Sequence, residues 1–379
     1  MTRRDFLSVG LHGAGGAILA LGTGRTAFSQ NKPDLSLIAV GRKAHPLFFD
    51  GLVFLTDDMA DLGKSGLSGF IWDVSAVEEK DGRYIRPFLP CLKSIAKANK
   101  TLRENDQGLV LGTMGGRVKE AWQTGQTAVF LQFQSCEPFA GDIEVMNVFY
   151  ELGLRICQVT HHSTNMFGGG GVEKKWTGLT DLGFTAVEKM NELGIIPDLS
   201  HGNEVLCLDV LKTSKKPVII SHTCCRAIVN NARCAPDHVI KGVADSGGIV
   251  GIIPLSFWIT NDPVPTVEHY VRHIEQVIRV GGIDAVGIAN DDTIAGNLEA
   301  AKLNNNNAEA VKYIYPWWQR QAGVLGFDEL PKHCVIPELN NVRRHFTIQA
   351  ALEKQGHKPD EIEKIMGRNW LRVLTQSLG

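Results

Sequence analysis

In this 379-residue chain, four histidines and two aspartates stand where short apolar runs stop. His161 and His162 follow the run 155–160, His201 comes directly after Asp198-Leu199-Ser200, and His222 closes Ile219-Ile220-Ser221. Asp291 and Asp292 follow the run 284–289, and Gln134 ends the run 128–134. A single histidine so placed serves equally well as a satisfied core residue or a helix cap. Three on successive runs, with a carboxylate on another, point to one shared pocket. Neutral imidazole donates a lone pair to a metal while its second nitrogen is held by an acceptor, which makes His201 and His222 candidate ligands. Arg233 lies one helix length beyond His222 and reads equally as an anchor for a ligand carboxylate or as a partner of Asp237. The loop Phe167-Gly168-Gly169-Gly170-Gly171 reads as a pocket rim or a flexible lid. His45, His269, His273, His345 and His357 lie away from the run ends and read as surface or helix residues.

Elements must bring these residues together. Short Val-, Ile-, Leu- and Phe-rich runs at 47–52, 69–74, 128–134, 155–160, 195–200, 217–221, 249–255 and 284–289 are apolar on both faces, as strands covered by helices are. Amphipathic segments lie between most of them: 142–152, 180–193 opening on Thr180-x-x-Gly183, and 264–280 with Val267, Val271, Ile274 and Ile278 at helical spacing. Eight strand signals in β/α alternation predict a (β/α)8 TIM barrel, with a doubly wound open sheet as the alternative. In a barrel, residues leaving the C-terminal strand ends converge on one mouth, where active sites are built.

Composition narrows the class. With 44% hydrophobic residues the chain can bury a substantial core, and a net charge of −2 without a basic run gives no footprint for nucleic acid. Arg3 and Arg4 precede a weakly apolar, Gly- and Ala-rich stretch at 9–24, and Ala27-Phe28-Ser29 offers a cleavage site. This is the pattern of a twin-arginine signal peptide over residues 1–29, ahead of a single domain at 30–379 that works in the periplasm. The alternative is a basic, mobile N-terminus on a cytoplasmic protein. The mature part offers no membrane span. Eight cysteines are scattered without a CxxC pair and read as buried thiols, although an oxidising compartment would permit disulfides.

From about Phe49 to Leu374 the chain resembles the membrane (renal) dipeptidase family, metallopeptidase group M19. The resemblance rests on Asp50-Gly51, Val148 to Gly153, Thr160-His161, Gly194 to His201, Pro217 to His222, Arg226-Ala227, Arg233, Val286-Gly287-Ile288, Asp291 and Gly367 to Val373. It implies the (β/α)8 barrel and, in ordinary members, two zinc ions hydrolysing dipeptides with a free carboxy terminus; members often form homodimers. By that resemblance His201 and His222 bind the second zinc and His161 contacts the scissile carbonyl. Arg233 receives the substrate carboxylate, and Asp291 handles protons and the substrate amine.

The departures matter equally. The family's first strand reads Asp-x-His-x-Asp, with the His and second Asp binding the first zinc; here Leu52 and Phe54 stand at those positions. The family's metal-bridging glutamate falls at Gln134, whose neutral amide is at best a weak ligand. A two-metal centre cannot be assembled from these residues, so zinc is expected at one per chain or none. Cys136 and Glu137 are the nearby groups that would have to substitute as donors. Three functions follow from the sequence: a hydrolase of a dipeptide or related small amide with one weakened zinc site, a retired dipeptidase-like periplasmic binding or accessory protein, or a different reaction on a small carboxylate-bearing substrate.

Overall fold

The apolar runs form the staves of a parallel barrel in a computed structural model that describes residues 46–55, 59, 61–80, 83–297 and 331–379. In chain order the strands are β1 (Phe48–Phe54), β2 (Leu67–Asp73), β3 (Glu78–Lys80), β4 (Arg83–Ile85), β5 (Leu109–Leu111), β6 (Thr127–Phe133), β7 (Leu154–Gln158), β8 (Ile196–Asp198), β9 (Ile219–Thr223), β10 (Ile249–Ile252), β11 (Val286–Ile288) and β12 (Asp292–Thr293). The spatial order is β11-β10-β9-β8-β7-β6-β2-β1-β12, all parallel, with β5 added beside β6. β11 and β12 are two pieces of one eighth stave: the first pairs with β10 and the second with β1, so the last run meets both neighbours. The barrel expected from the alternation is therefore the fold. β3 and β4 make a separate antiparallel ribbon inserted after β2.

Strand ends differ from the apolar runs where a side chain or a proline takes over. The run 195–200 keeps ladder pairing only through Asp198, because the Asp198 carboxylate then accepts from the Ser200 backbone N–H at 3.1 Å. The run 249–255 stops at Ile252, ahead of Pro254, which has no N–H to give a ladder.

Helices cover the outside. Helix Asp181–Leu193 starts where Thr180 accepts from the Gly183 N–H at 3.1 Å and stops at Gly194, whose φ of 85° suits glycine. Helix Val267–Gly281 turns Val271, Ile274 and Val277 inward, with Thr266 at its N-cap. No helix among the described residues is long and apolar enough to cross a membrane.

Inside the ring, Phe49, Ile71, Phe130, Ile156, Ile196, Ile219 and Ile249 pack with Trp370, Val373 and Leu374 of the last helix, Asn369–Leu378. Trp370 is fully buried and its indole N–H donates to the Ile288 carbonyl at 3.1 Å. Gly51 and Gly287 make room for it: a Cβ on either would lie 2.7 Å or less from the indole ring. Replacing such a side chain by alanine costs about 3–5 kcal/mol. The layer above this apolar floor is polar, and it carries the mouth.

Candidate metal centre and active site

Asp198 organises one side of that mouth. Successive residues on a strand point to opposite faces, which puts Ile196 and Asp198 of β8 and Ile219 and Ser221 of β9 toward the interior. The Asp198 carboxylate accepts from the Gln132 amide (2.5 Å), the Gln158 amide (3.0 Å), both serine hydroxyls, Ser200 (2.6 Å) and Ser221 (2.5 Å), and the Ser221 backbone N–H (2.8 Å). An ionised carboxylate only accepts, so Ser221 must donate to it. The Ser221 oxygen is then left to accept from His222 Nδ1 at 2.7 Å. The Ser221 oxygen thus fixes the proton of His222 on Nδ1 and leaves a lone pair on its Nε2.

His222 Nε2 lies 2.8 Å from His201 Nε2, and Arg233 Nη2 lies 3.4 Å from the same His201 atom. The two nitrogens face one another at hydrogen-bond distance; zinc–nitrogen bonds of about 2.0–2.1 Å at a tetrahedral angle would hold them about 3.3 Å apart, so a shared ion requires them to part by about 0.5 Å. The ligand atoms of His161, His162 and His201 also fall within 4.8 Å of one another, a wider set for one ion. The His161 ring stacks on His201 with centroids 3.9 Å apart, and His162 packs against His161 at 4.1 Å. Burial holds His161, His201 and His222 well below the ordinary histidine value, and nearby guanidinium charge pushes the same way, Arg86 foremost on His161 and Arg233 on the other two. The cluster is thus uncharged at neutral pH, the state in which imidazole binds metal.

Arg233 closes this side. Its Nη2 donates to the His222 carbonyl at 3.0 Å and its guanidinium lies 5.3 Å from the Trp258 ring centre. Asp237, the alternative partner read from sequence, is instead taken by Arg279 and Gln276. Asp291 has a φ of 60°, a left-handed conformation that aspartate tolerates, and its backbone N–H donates to the Leu52 carbonyl at 2.9 Å. Burial raises its carboxyl to about 7, against the lowering effect of Arg233. A carboxyl balanced there can take or give a proton near neutrality.

The β1 side is built of other material. Leu52 is fully buried in the apolar interior layer and Phe54 is half-buried against it, so neither position offers a donor. Gln134 turns its Oε1 to Arg86 Nη2 at 3.4 Å. Arg86 follows β4, and its Nε donates to Ser75 Oγ at 3.2 Å, next to Asp73 at the end of β2. A cavity of about 270 Å³ shares Asp73 and Ser75 with this network. Sequence reading missed both Asp73 and Arg86. Asp73 carries the same strand-end signal as the others; Arg86 comes from the inserted ribbon and carries none.

Two sequence expectations need correction, the substitute donors and the glycine lid, whereas His273 and His345 lie on helices as read. Cys136 is buried against Cys157 and the Gln158 carbonyl, turned away from the mouth, and Glu137 accepts from the Arg86 backbone N–H, so neither stands in for a lost ligand. The glycine loop 168–171 is buried, and a Cβ on Gly170 would meet the His162 carbonyl oxygen at 2.2 Å, which makes it a tightly packed rim and no lid. His273 is buried, accepting from the Cys225 N–H at 2.9 Å with Nδ1 and contacting the Ile259 carbonyl through Nε2. His345 is also buried, donating to Asp50 at 3.0 Å. His45, like the signal-peptide segment 1–29, lies outside the described residues.

A sequence profile described as membrane dipeptidase (peptidase family M19) matches residues 54–307. Among curated proteins the chain is similar to the dipeptidase tcpJ of Claviceps purpurea (strain 20.1), 28% identical over 263 residues, 68% of this chain and 53% of that protein. The chain spans about half the length of the curated relatives it matches. Among solved structures it is similar to an amidohydrolase from Pseudomonas aeruginosa, 26% identical, TM-score 0.73, covering 88% of this chain and 97% of that one. It also shares its fold with a metallopeptidase from Rhodobacter sphaeroides liganded with a phosphinate mimic of the dipeptide L-Ala-D-Ala, 17% identical, TM-score 0.71, covering 88% and 100%.

Proposed function

The chain belongs to the membrane dipeptidase family, peptidase family M19, and on that premise we propose that it is a metal-dependent hydrolase of a dipeptide or related small amide, working with one zinc ion. The observation that carries this is the convergence of His201 and His222 Nε2 at 2.8 Å, with the His222 tautomer set through Ser221 and Asp198. These residues fit one metal ion. The other half of a two-metal centre does not fit: Leu52 and Phe54 bring no donor, and Gln134 faces a guanidinium. A zinc ion held by the two histidines would supply Lewis-acid polarisation and acidify a water.

The chain's own groups do the remainder. Arg233, buried beside the histidines, anchors the substrate carboxylate and so fixes where the amide lies. His161, kept neutral by burial and Arg86, donates a hydrogen bond to the carbonyl oxygen as charge develops on it. Asp291, with its carboxyl near 7, takes the proton of the attacking water and returns it to the leaving amine. The apolar packing of Leu52 keeps bulk water from entering through the barrel floor.

Export by the twin-arginine route to the periplasm, carried by Arg3 and Arg4, belongs to the same proposal, as does a homodimer. Elemental analysis of protein purified without added metal, paired with a panel of L,L- and L,D-dipeptides, tests the function. About one zinc per chain and turnover that a chelator abolishes and zinc restores are expected. Metal-free protein that stays inactive after zinc addition overturns the hydrolase and leaves the retired binding protein, the reading that the apolar Leu52 and Phe54 favour.

A further inference from the structure

Three buried side chains around the mouth carry hydrogen-bond donors with nothing to receive them. Arg86 Nη1, Gln134 Nε2 and Arg233 Nε find no acceptor among the described residues, although the three side chains are only 3%, 4% and 6% exposed. Leaving a buried donor unpaired is costly, and more so when it is charged. Three such groups around one pocket ask for lone pairs from a ligand, and a metal cation supplies none.

The two guanidiniums reach different strand ends. Arg86 reaches Ser75 and Gln134 at the ends of β2 and β6, whereas Arg233 reaches Thr223 and His222 at the end of β9. β7 and β8, which lead into His161 and His201, lie between them in the sheet. Among the described residues, every hydrogen bond that the Arg86 guanidinium donates goes to a neutral oxygen, Ser75 Oγ or Gln134 Oε1. The nearest carboxylates are otherwise engaged: Asp73 with Ser75, and Glu137 with Ser135 and the Arg86 backbone N–H. Asp73 and Glu137 act on the Arg86 charge from nearby but take none of its guanidinium N–H groups, so Nη1 is left for a ligand, and it stands beside Gln134, where the family's bridging carboxylate would be.

We propose that Arg86 and Gln134 form an anion-recognising subsite in place of the first metal, so that the preferred substrate is dianionic, one carboxylate on Arg233 and a second acidic group on Arg86 and Gln134. The naming of a substrate rests on the hydrolase reading; the anion subsite does not. A buried guanidinium joined to a carboxylate makes one of the stronger hydrogen-bonded pairs in proteins, enough for about a tenfold or larger preference.

Calorimetric titration of the mature protein with glutarate and with butyrate separates the two. Glutarate is expected to bind at least about tenfold more tightly. Arg86→Met is expected to bring glutarate down to the affinity of butyrate. Gln134→Glu, which keeps Arg86 but gives it an internal carboxylate, is expected to do the same and covers the case in which Arg86→Met does not fold. Equal affinities in the unaltered protein, or a preference that survives in a folded variant, overturn the subsite. A glutarate preference without hydrolysis of any dipeptide keeps the subsite and removes the hydrolase. Hydrolysis of neutral dipeptides at least as fast as of acidic ones, with no glutarate preference, keeps the hydrolase and removes the subsite.

Discussion

The two sides of the barrel mouth obey different chemistry. Around β8 and β9, a single carboxylate, Asp198, ties two serines, two glutamines and, through Ser221, His222 into one network, with Gln132 Oε1, Gln158 Oε1 and His201 Nδ1 as the atoms that find no partner among the described residues. Around β1, β2 and β6 the bonding is sparser among the described residues: Leu52 is packed in hydrocarbon, and Gln134 and Arg86 meet through one long hydrogen bond with donors left over. His222 keeps a hydrogen bond that orients its ring, through Ser221 to Asp198, whereas His201 is placed by ring stacking on His161. Where the first strand's histidine and second aspartate and the bridging glutamate are replaced by Leu52, Phe54 and Gln134, the pocket changes the sign of what it attracts.

The largest test of this division removes a ligand from the ordered side. His222→Ala is expected to strip the metal and take turnover to background, read by elemental analysis and dipeptide assay. Metal retained in the folded variant would move the centre to His161, His162 and His201. Next in size, Asp291→Asn is expected to lower kcat by about 10²–10⁴-fold. The same carboxyl sets a pH limb: with a raised value of about 7 it is protonated below that pH and cannot act as base, so wild-type kcat should fall as pH drops through 7, a limb missing from the residual rate of the variant.

Ser221→Ala leaves both imidazoles but frees the tautomer of His222, and metal affinity should fall by about 10–100-fold by competition with a chelating dye. Smaller again is an effect on stability. His201 and His222 are held uncharged in the fold and protonate normally, near 6.5, once unfolded. Above that value the two states bind protons alike; below it the unfolded state binds more, so metal-free protein should lose about 1.4 kcal/mol per pH unit for each histidine, measured by urea unfolding between pH 7.5 and 5. Smallest is the triple replacement Leu52→His, Phe54→Asp and Gln134→Glu. By itself it should leave metal content at one, because Arg86 keeps a positive charge beside the rebuilt glutamate; adding Arg86→Met should raise it towards two.

What the sequence conveyed follows from how local each signal is. The barrel strands could be seen as apolar runs because burial on both faces writes itself into consecutive residues. The histidines and Asp291 stood out because a strand end is a local address and the barrel collects those addresses. Arg86 was invisible: it arrives from the β3–β4 insertion, and nothing local says that this ribbon leans over the mouth. His345 lies on a helix as read, but its burial could not be seen, since its partner Asp50 lies 295 residues away on β1. The glycine loop looked loose because glycine is read as freedom, whereas here the absence of Cβ atoms lets Gly170 press against the His162 backbone.

Trp370 gives the barrel a timetable. The first strand, with Phe49 and Gly51, is made early, yet the indole that fills the floor beneath it comes from the last helix, more than three hundred residues later. Contacts of such sequence separation form slowly, and their surfaces stay exposed until both partners exist. During synthesis the inner faces of all eight staves must wait for residue 370, so a chain halted before that helix should remain a chaperone client however much of the mouth it already contains.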